Sequence, residues 1–347
     1  MARSPHLFTR AVPPAPRPGV YDLYWTFAAR RQAAFVKRLS GSPWPWTTDK
    51  ILQIHKFCNV YRASDRVSQY MISKVAYGTD PGEINDLLFQ IVAFRTFSKI
   101  RTWQGIQDIL GRPPRVADLV SGEFESALAQ VQTKFGGLYT GAFILCATKA
   151  YGFDEKYRNH VGLFKQMFVE ERLDRAILAA NSFEQVVQAL QRYPLMGPFM
   201  AYQTAVDLNY SDAVGFSEND HTVAGPGALR GQKKAFEHLG DYSPADAISW
   251  MVDNQEREFA RLELPFPGLF GRPLHAIDCQ GLFCELDKYC REAVPDLLSN
   301  RSRIKAKYRP TCEALPLFFP PKWKLEIPMG TGLPQQSSLD RQGSLNL

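Results

Sequence analysis

The chain contains no C-x-x-C pair, which excludes a zinc or redox site built on one. Its six cysteines, Cys58, Cys146, Cys279, Cys284, Cys290 and Cys312, fall at spacings that do not repeat. With no secretory signal ahead of them, they read as reduced thiols of an intracellular protein of the cytoplasm or nucleoid, or of the nucleus if eukaryotic. Cys279, Cys284 and Cys290 have the wrong spacing for an iron–sulfur ligand set and lie in a helical pattern. No apolar run reaches transmembrane length, so no membrane partner is expected. The P-loop pattern Gly-x4-Gly-Lys-Ser/Thr occurs nowhere, which argues against the usual phosphoryl-transfer machinery. Period-two alternation is also scarce. Only Phe318–Phe319 and Trp323–Ile327 suggest strands, paired weakly at an edge. There is no internal repeat, and no metal or cofactor is called for.

What is present is an ordinary globular composition, 45% hydrophobic and 22% charged over 347 residues, enough to bury a core without staples. The net charge of +6 permits a polyanionic partner without requiring one. Two basic clusters stand out: Arg30-Arg31 with Lys37-Arg38, and Arg301, Arg303, Lys305, Lys307 and Arg309. Solvated surface and phosphate contact are both open for them. Residues 1–19 hold Pro5, Pro13, Pro14, Pro16 and Pro18 and are expected to lack fixed structure. Residues 329–347 read as a polar tail, leaving 20–328 as one helical catalytic domain with two lobes.

Helical spacing runs almost throughout. A first helix over 20–39 is stopped by Gly41-Ser42-Pro43, and Thr47-Thr48-Asp49 caps the next from Lys50. Further helices are expected over 66–76, 83–98, 102–109, 115–118, 122–134, 140–149, 157–172, 173–180, 182–192, 197–209, 226–239, 243–261 and 273–291. Ser182 and Ser243 are good N-caps. The fold class is all-α.

The segment from Gln188 to Gly231 carries the most chemistry. One helix ends near Arg192, a tight turn Tyr193-Pro194-Leu195-Met196-Gly197-Pro198 follows, and a second helix runs from Phe199 to Asn209. Helix, Pro/Gly turn and helix form a helix-hairpin-helix signature, in which backbone N–H groups at the Gly face a DNA phosphate. The same pattern is also a common connector. Asp220 follows Gly197 by 23 residues, within Glu218-Asn219-Asp220-His221-Thr222. The segment resembles the helix-hairpin-helix DNA glycosylases, whose essential Asp lies a similar distance beyond the hairpin Gly. That resemblance places Asp220 at the catalytic position; a turn or N-cap Asp is the alternative. Where bifunctional relatives carry a Lys, this chain has Pro198, Phe199 and Met200, so Schiff-base chemistry is not expected.

Gly225-Pro226-Gly227 then enters a helix bearing Arg230, Lys233 and Lys234. Cations on a first turn oppose the helix dipole unless an anion binds there, though a turn with surface charges reads the same. Two other stretches are dense in polar groups. Asn59, Arg62 and Arg66 are expected on one helical face beside Asp65. Asp278, Gly281, Glu285 and Lys288 stack on another, where Asp278 and Glu285 are buried unless they line a site or pair with Arg62 or Arg66. A structural ion-pair network remains the alternative.

Taken in order, several motifs resemble one family. They are Trp25-Thr26-Phe27, Trp46-Thr47-Thr48-Asp49, Phe57-Cys58-Asn59-Val60-Tyr61-Arg62, Asp65-Arg66-Val67 and Phe94-Arg95-Thr96-Phe97, then Gly197 to Gln203, Asp207-Leu208-Asn209-Tyr210, Gly225-Pro226-Gly227 with Arg230-Gly231, and Glu285 to Tyr289. The family is the alpha-glutamyl/putrescinyl thymine pyrophosphorylases, which includes the helical domain linked to 5-hydroxymethyluracil DNA kinases. The resemblance covers roughly 21–310 and implies a glycosylase-like helical fold. It implies DNA hypermodification, best described in bacteriophages, hence a phage-infected host cell. The (pyro)phosphate on 5-hydroxymethyluracil is replaced by an amine or amino acid, with the glycosidic bond kept.

Partners are then DNA, with the base flipped or the strand single, an amine donor, and a 5-hydroxymethyluracil DNA kinase. Asp220 is the first candidate base, with Asp278 and Glu285 behind it. Asn59, Arg62, Arg66, His221, Gly225, Gly227, Arg230 and Lys288 are candidates for holding substrate and phosphate. Gly197, Tyr202, Gln203, Lys233 and Lys234 are candidates for DNA contact. Two other readings stay open: a glycosylase that excises a modified pyrimidine, and a non-catalytic DNA-binding module serving the kinase.

Overall fold

The computed structural model describes residues 10–78, 80, 82–140, 149–297, 304, 306–310 and 317–327. The helix expected over 140–149, together with Cys146, Cys312, Arg301, Arg303, Lys305 and the tail from Gly330, lies wholly or mostly outside the described residues. Fourteen helices follow in the rest. In chain order they are α1 (Val20–Leu39), α2 (Lys50–Ile54), α3 (Arg66–Tyr70), α4 (Ile84–Phe97), α5 (Ile100–Leu110), α6 (Val116–Ser121), α7 (Glu123–Phe135), α8 (Lys156–Phe164), α9 (Leu173–Leu178), α10 (Phe183–Gln191), α11 (Pro198–Leu208), α12 (Pro226–Ala235), α13 (Pro244–Arg261) and α14 (Ala276–Ala293). Wider π turns extend α3 over Met71–Ala76 and α8 over Lys165–Glu170. The fold class is all-α, and no described helix is long and apolar enough to cross a membrane.

The caps act as their residue types dictate. The Asp49 carboxylate accepts the N–H groups of Ile51 and Leu52 at 2.9 and 3.2 Å. Ser182 accepts from Gln185 at 3.2 Å, and Ser243 exchanges bonds with Asp246 in a capping box. Such caps stabilise a helix start by about 1 kcal/mol each. Pro198, Pro226 and Pro244 open α11, α12 and α13, where no intrahelical N–H bond is lost.

The strands differ from expectation. Pro321–Trp323 is a 3-10 turn, and none of residues 323–327 is in a strand. The two strands present are β1 (Ala15–Pro16) and β2 (Phe236–His238), paired antiparallel. β1 lies in the stretch expected to be structureless. Arg17 fastens it, donating from Nε to the Lys234 carbonyl at 2.9 Å and from Nη2 to the Phe236 carbonyl at 3.2 Å. This pairing also ends α12 at Ala235, short of the expected 239.

The helices pack in two sets. α1, α12 and α13 surround α14, while α4 packs on α5, α6, α8, α9 and α11, with α10 against α11 and α7 against α5. Around α14 the core is aromatic. Tyr24 and Trp25 of α1 are fully buried, with Tyr24 at 4.8 Å from Phe283 and Trp25 at 5.1 Å from Phe259. Burial of each such ring contributes about 2–3 kcal/mol. Polar ties join the sets, chiefly from Arg62 to α11, which is where the candidate site begins.

Candidate functional site

α14 is the axis on which most of the candidate residues are arranged. At its amino end Asp278 accepts the His275 N–H at 3.1 Å, as a capping residue, and the Arg62 backbone N–H at 3.1 Å. It is 4% exposed. Burial, and then the nearby Glu218 carboxylate, push its pKa up to about 7. The Arg62 guanidinium does not pair with Asp278 as expected. It turns to α11, donating to Asp207 at 2.6 Å and to the Gln203 carbonyl at 3.5 Å. Arg95 of α4 pairs with the other oxygen of Asp207. Burial alone raises the Asp207 pKa, but Arg62 and Arg95 outweigh it and hold the carboxyl below its ordinary value. Asp207 and Arg95 were missed as site residues. The readable signal was an Asp on an otherwise apolar helix, which needs a buried partner.

The loop carrying Asp220 is fastened to this end of α14. Glu218 pairs with Arg272 at 2.8 Å, the Asn219 side chain accepts the Ala276 N–H at 2.8 Å, and the Thr222 hydroxyl donates to the Tyr202 hydroxyl at 3.2 Å. Between these anchors Asp220 is exposed, and among the described residues only its backbone N–H is bound, to the Ser217 carbonyl. His221 is half-buried, edge-on to Tyr202 at 6.4 Å, and burial lowers its pKa. Its ring is therefore favoured in the neutral form, able to donate or accept.

Midway along α14, Glu285 accepts the Cys58 N–H at 3.1 Å and pairs with Lys288 at 2.7 Å. Lys288 also lies 4.6 Å over the Phe57 ring. Asn59 is not on a helix with Arg62 and Arg66; it precedes the 3-10 turn Arg62–Ser64. Its N–H donates to Asp65, its amide to the Ser64 carbonyl, and its oxygen accepts from Arg31 at 2.5 Å. These bonds replace the expected helical ladder. Burial pushes the Asp65 carboxyl up to about 6. Arg66 is exposed at the start of α3.

At the far end of α14, Asp287 gathers three cations. Arg230 is 3.0 Å away, Lys234 3.1 Å and Arg291 2.7 Å. Nine residues separate Asp287 from Asp278, about 13 Å along the axis. Arg230, a candidate for holding phosphate, and Lys234 are thus committed to Asp287, whereas the Asp220 loop is fastened at Ala276. The glycines have a packing reason. A Cβ on Gly227 would overlap the Cys284 sulfur, one on Gly231 the Phe283 carbonyl, and one on Gly225 the Phe199 ring. Gly227 and Gly231 let α12 lie directly on α14, and Gly225 lets its start pass close to α11, whether or not an anion binds.

Among the DNA-contact candidates, Gly197 is exposed at the N-cap of α11, with open space where a Cβ would stand. Lys233 is exposed. Tyr202 and Gln203 are core residues, Gln203 reaching Gln280 at 3.4 Å. Lys234 is buried on Asp287. These three reach no surface strand without rearrangement.

Among the described residues the protein is an all-α domain with a fastened acidic loop and buried ion pairs on α14. The family description that matches it is "5-hmdU DNA kinase, helical domain", over residues 18–299. The chain belongs to that family. It is also similar to a protein of Bacillus phage SP10 named 5-hmdU DNA kinase, 26% identical over 289 residues. That alignment takes in 78% of this chain and 45% of the phage protein, so the chain spans about half the length of its curated relative. No solved structure matches it significantly.

Proposed function

We propose that this protein acts in the modification of 5-hydroxymethyluracil in DNA, exchanging the (pyro)phosphate of the phosphorylated base for an amine or amino acid. The observation that carries the reading is Asp220. It is an exposed carboxylate with no side-chain partner among the described residues, on a loop held rigid at Glu218, Asn219 and Thr222. Family membership supplies the DNA base. In the step, the amine nitrogen bonds to the exocyclic methylene as the methylene–oxygen bond breaks. The electron pair leaves on the phosphate oxygen, and the amine proton passes to Asp220. The target carbon is out of reach in a paired duplex, so the base is flipped or the strand is single. Gly197 at the hairpin and exposed Lys233 hold the phosphate backbone. His221, next to Asp220 on the same loop, is the group offered to the departing anion.

Asp278 and Glu285 position the site. Both oxygens of Asp278 accept backbone N–H groups, and Glu285 is paired with Lys288. The test is nucleoside mass spectrometry after incubation with DNA bearing phosphorylated 5-hydroxymethyluracil and putrescine or glutamate. A heavier base is expected, lost in Asp220→Asn by at least about 100-fold with DNA binding kept. Unchanged turnover removes Asp220 from the mechanism, and abasic sites indicate a glycosylase. A second reading is favoured by the 45% coverage of a protein named as a kinase: a helical DNA-binding module that serves a kinase. DNA binding without any base product supports it.

A further inference from the structure

A cleft opens between α1 and the segment after it, with Asn59 in its lining. Arg31 and Arg38 of α1, Trp44, Trp46, His55 and Tyr308 line it. Trp44 and Tyr308 stack at 5.4 Å with 27° between their planes. Trp46 closes the cleft edge-on to Trp44 at 5.1 Å, and the Arg38 guanidinium lies 5.4 Å over the Trp46 ring. Among the described residues no carboxylate lines the cleft; the cationic and imidazole lining residues are Arg31, Arg38 and His55. Tyr308 arrives from far along the chain. Its N–H donates to the Ile54 carbonyl at 2.9 Å, and His55 bridges to Lys307. Lys56 and Lys307, on these two paired segments, are exposed.

His55 is 7% exposed, and its Nδ1 has no hydrogen-bond partner among the described residues. Its Nε2 lies 3.6 Å from Glu292. A buried ring nitrogen without a partner is unfavourable, and in a lined cleft it marks a place for a ligand's polar edge. Stacked aromatics favour a planar ring with a π face, and two arginines favour an attached anion. We infer that this cleft is a nucleotide site, with the base on the Trp44/Tyr308 pair, its edge at His55 and its phosphate at Arg31 and Arg38. The site needs no role for Asp220, so it stands or falls separately from the proposed transfer. The nucleotide is one unit of a single strand or a free nucleotide, and the two sources are separable.

The 347-residue chain is titrated with an oligothymidylate strand, an abasic strand of equal length and dTMP, following tryptophan fluorescence. The strand is expected to bind at least about tenfold more tightly than its abasic counterpart, a preference that Trp44→Ala removes, because base–aromatic stacking is sequence-tolerant and strong. Arg38→Gln lowers affinity severalfold for every phosphate-bearing probe. Trp44-dependent saturation by dTMP assigns a free nucleotide; saturation by the strand alone assigns a nucleic-acid strand. Equal binding of the two strands by the parent together with no Trp44-dependent binding of dTMP, or parent-like binding of every probe by Trp44→Ala, overturns the proposal. Far-UV circular dichroism checks folding, and should Trp44→Ala unfold, Tyr308→Ala gives the same readout. Asp220→Asn is expected to bind all probes as the parent does, so lost turnover and lost nucleotide binding remain distinguishable.

Discussion

Asp278 and Asp287 lie on one helix, are both buried, and have pKa values displaced in opposite directions. Burial works to raise both. At Asp287 the cations Arg291, Arg230 and Lys234 outweigh it and hold the carboxyl below its ordinary value. At Asp278, among the described residues, the carboxyl is bonded only by backbone N–H groups, Arg272 acts from farther away, and the pKa is pushed up to about 7. The contrast shows that two acidic residues of similar appearance in the sequence have separate tasks. The far end of α14 is a closed charge cluster that clamps α12. The near end keeps a carboxyl poised between protonation states beside an exposed acidic loop.

The strongest way to break this contrast is to remove each carboxyl. Asp287→Ala leaves Arg230, Lys234 and Arg291 facing one another with Lys234 and Arg291 mostly buried. A loss of about 3–5 kcal/mol in urea unfolding is expected. Asp278→Ala removes two backbone acceptor contacts and is expected to cost less at pH 7, about 1–3 kcal/mol. Equal losses would mean that the two ends are alike.

The second test is pH. The folded pKa of Asp278 lies above its unfolded value, so between about pH 4 and pH 7 the native state holds the extra proton. Stability from this group therefore falls as pH rises through that window, by at most about 1.4 kcal/mol per pH unit. Asp65, raised to about 6, adds in the same direction over a shorter range. Asp207 and Asp287, whose pKa values are lowered, act oppositely: their contribution is present above about pH 4 and is lost on acidification. Subtracting the unfolding profile of Asp278→Asn from that of the parent isolates the Asp278 slope. A flat difference between pH 4.5 and 7 would show that Asp278 carries no raised pKa.

Much of the fold was legible because it was local. Caps at Asp49, Ser182 and Ser243, Pro at helix starts and helical spacing are set by neighbours in sequence. What failed was non-local. α12 stops at Ala235 because Phe236 pairs with a strand more than two hundred residues earlier. Gly225 and Gly227 looked like a phosphate cradle, but the decisive neighbours, Phe199 and Cys284, come from other helices. Asn59 lost its helix to side-chain bonds with Arg31 and Asp65, and the cleft of Trp44 and Tyr308 joins residues that no spacing connects. The Asp220 loop was found through resemblance; its anchoring at Ala276 was not readable at all.

The finest test uses two adjacent lysines that read alike in sequence. Lys233 is exposed, whereas Lys234 is buried with its ammonium 3.1 Å from Asp287. If the surface of α12 contacts DNA phosphates, Lys233→Gln lowers the slope of log affinity against log salt by about 1 and leaves the melting temperature unchanged. Lys234→Gln instead lowers the melting temperature and leaves the slope as it was, because its charge is already matched inside the protein. A slope change in Lys234→Gln equal to that in Lys233→Gln, without loss of stability, would mean that the Asp287 cluster opens when DNA binds, and the far end of α14 would then join the site instead of clamping it.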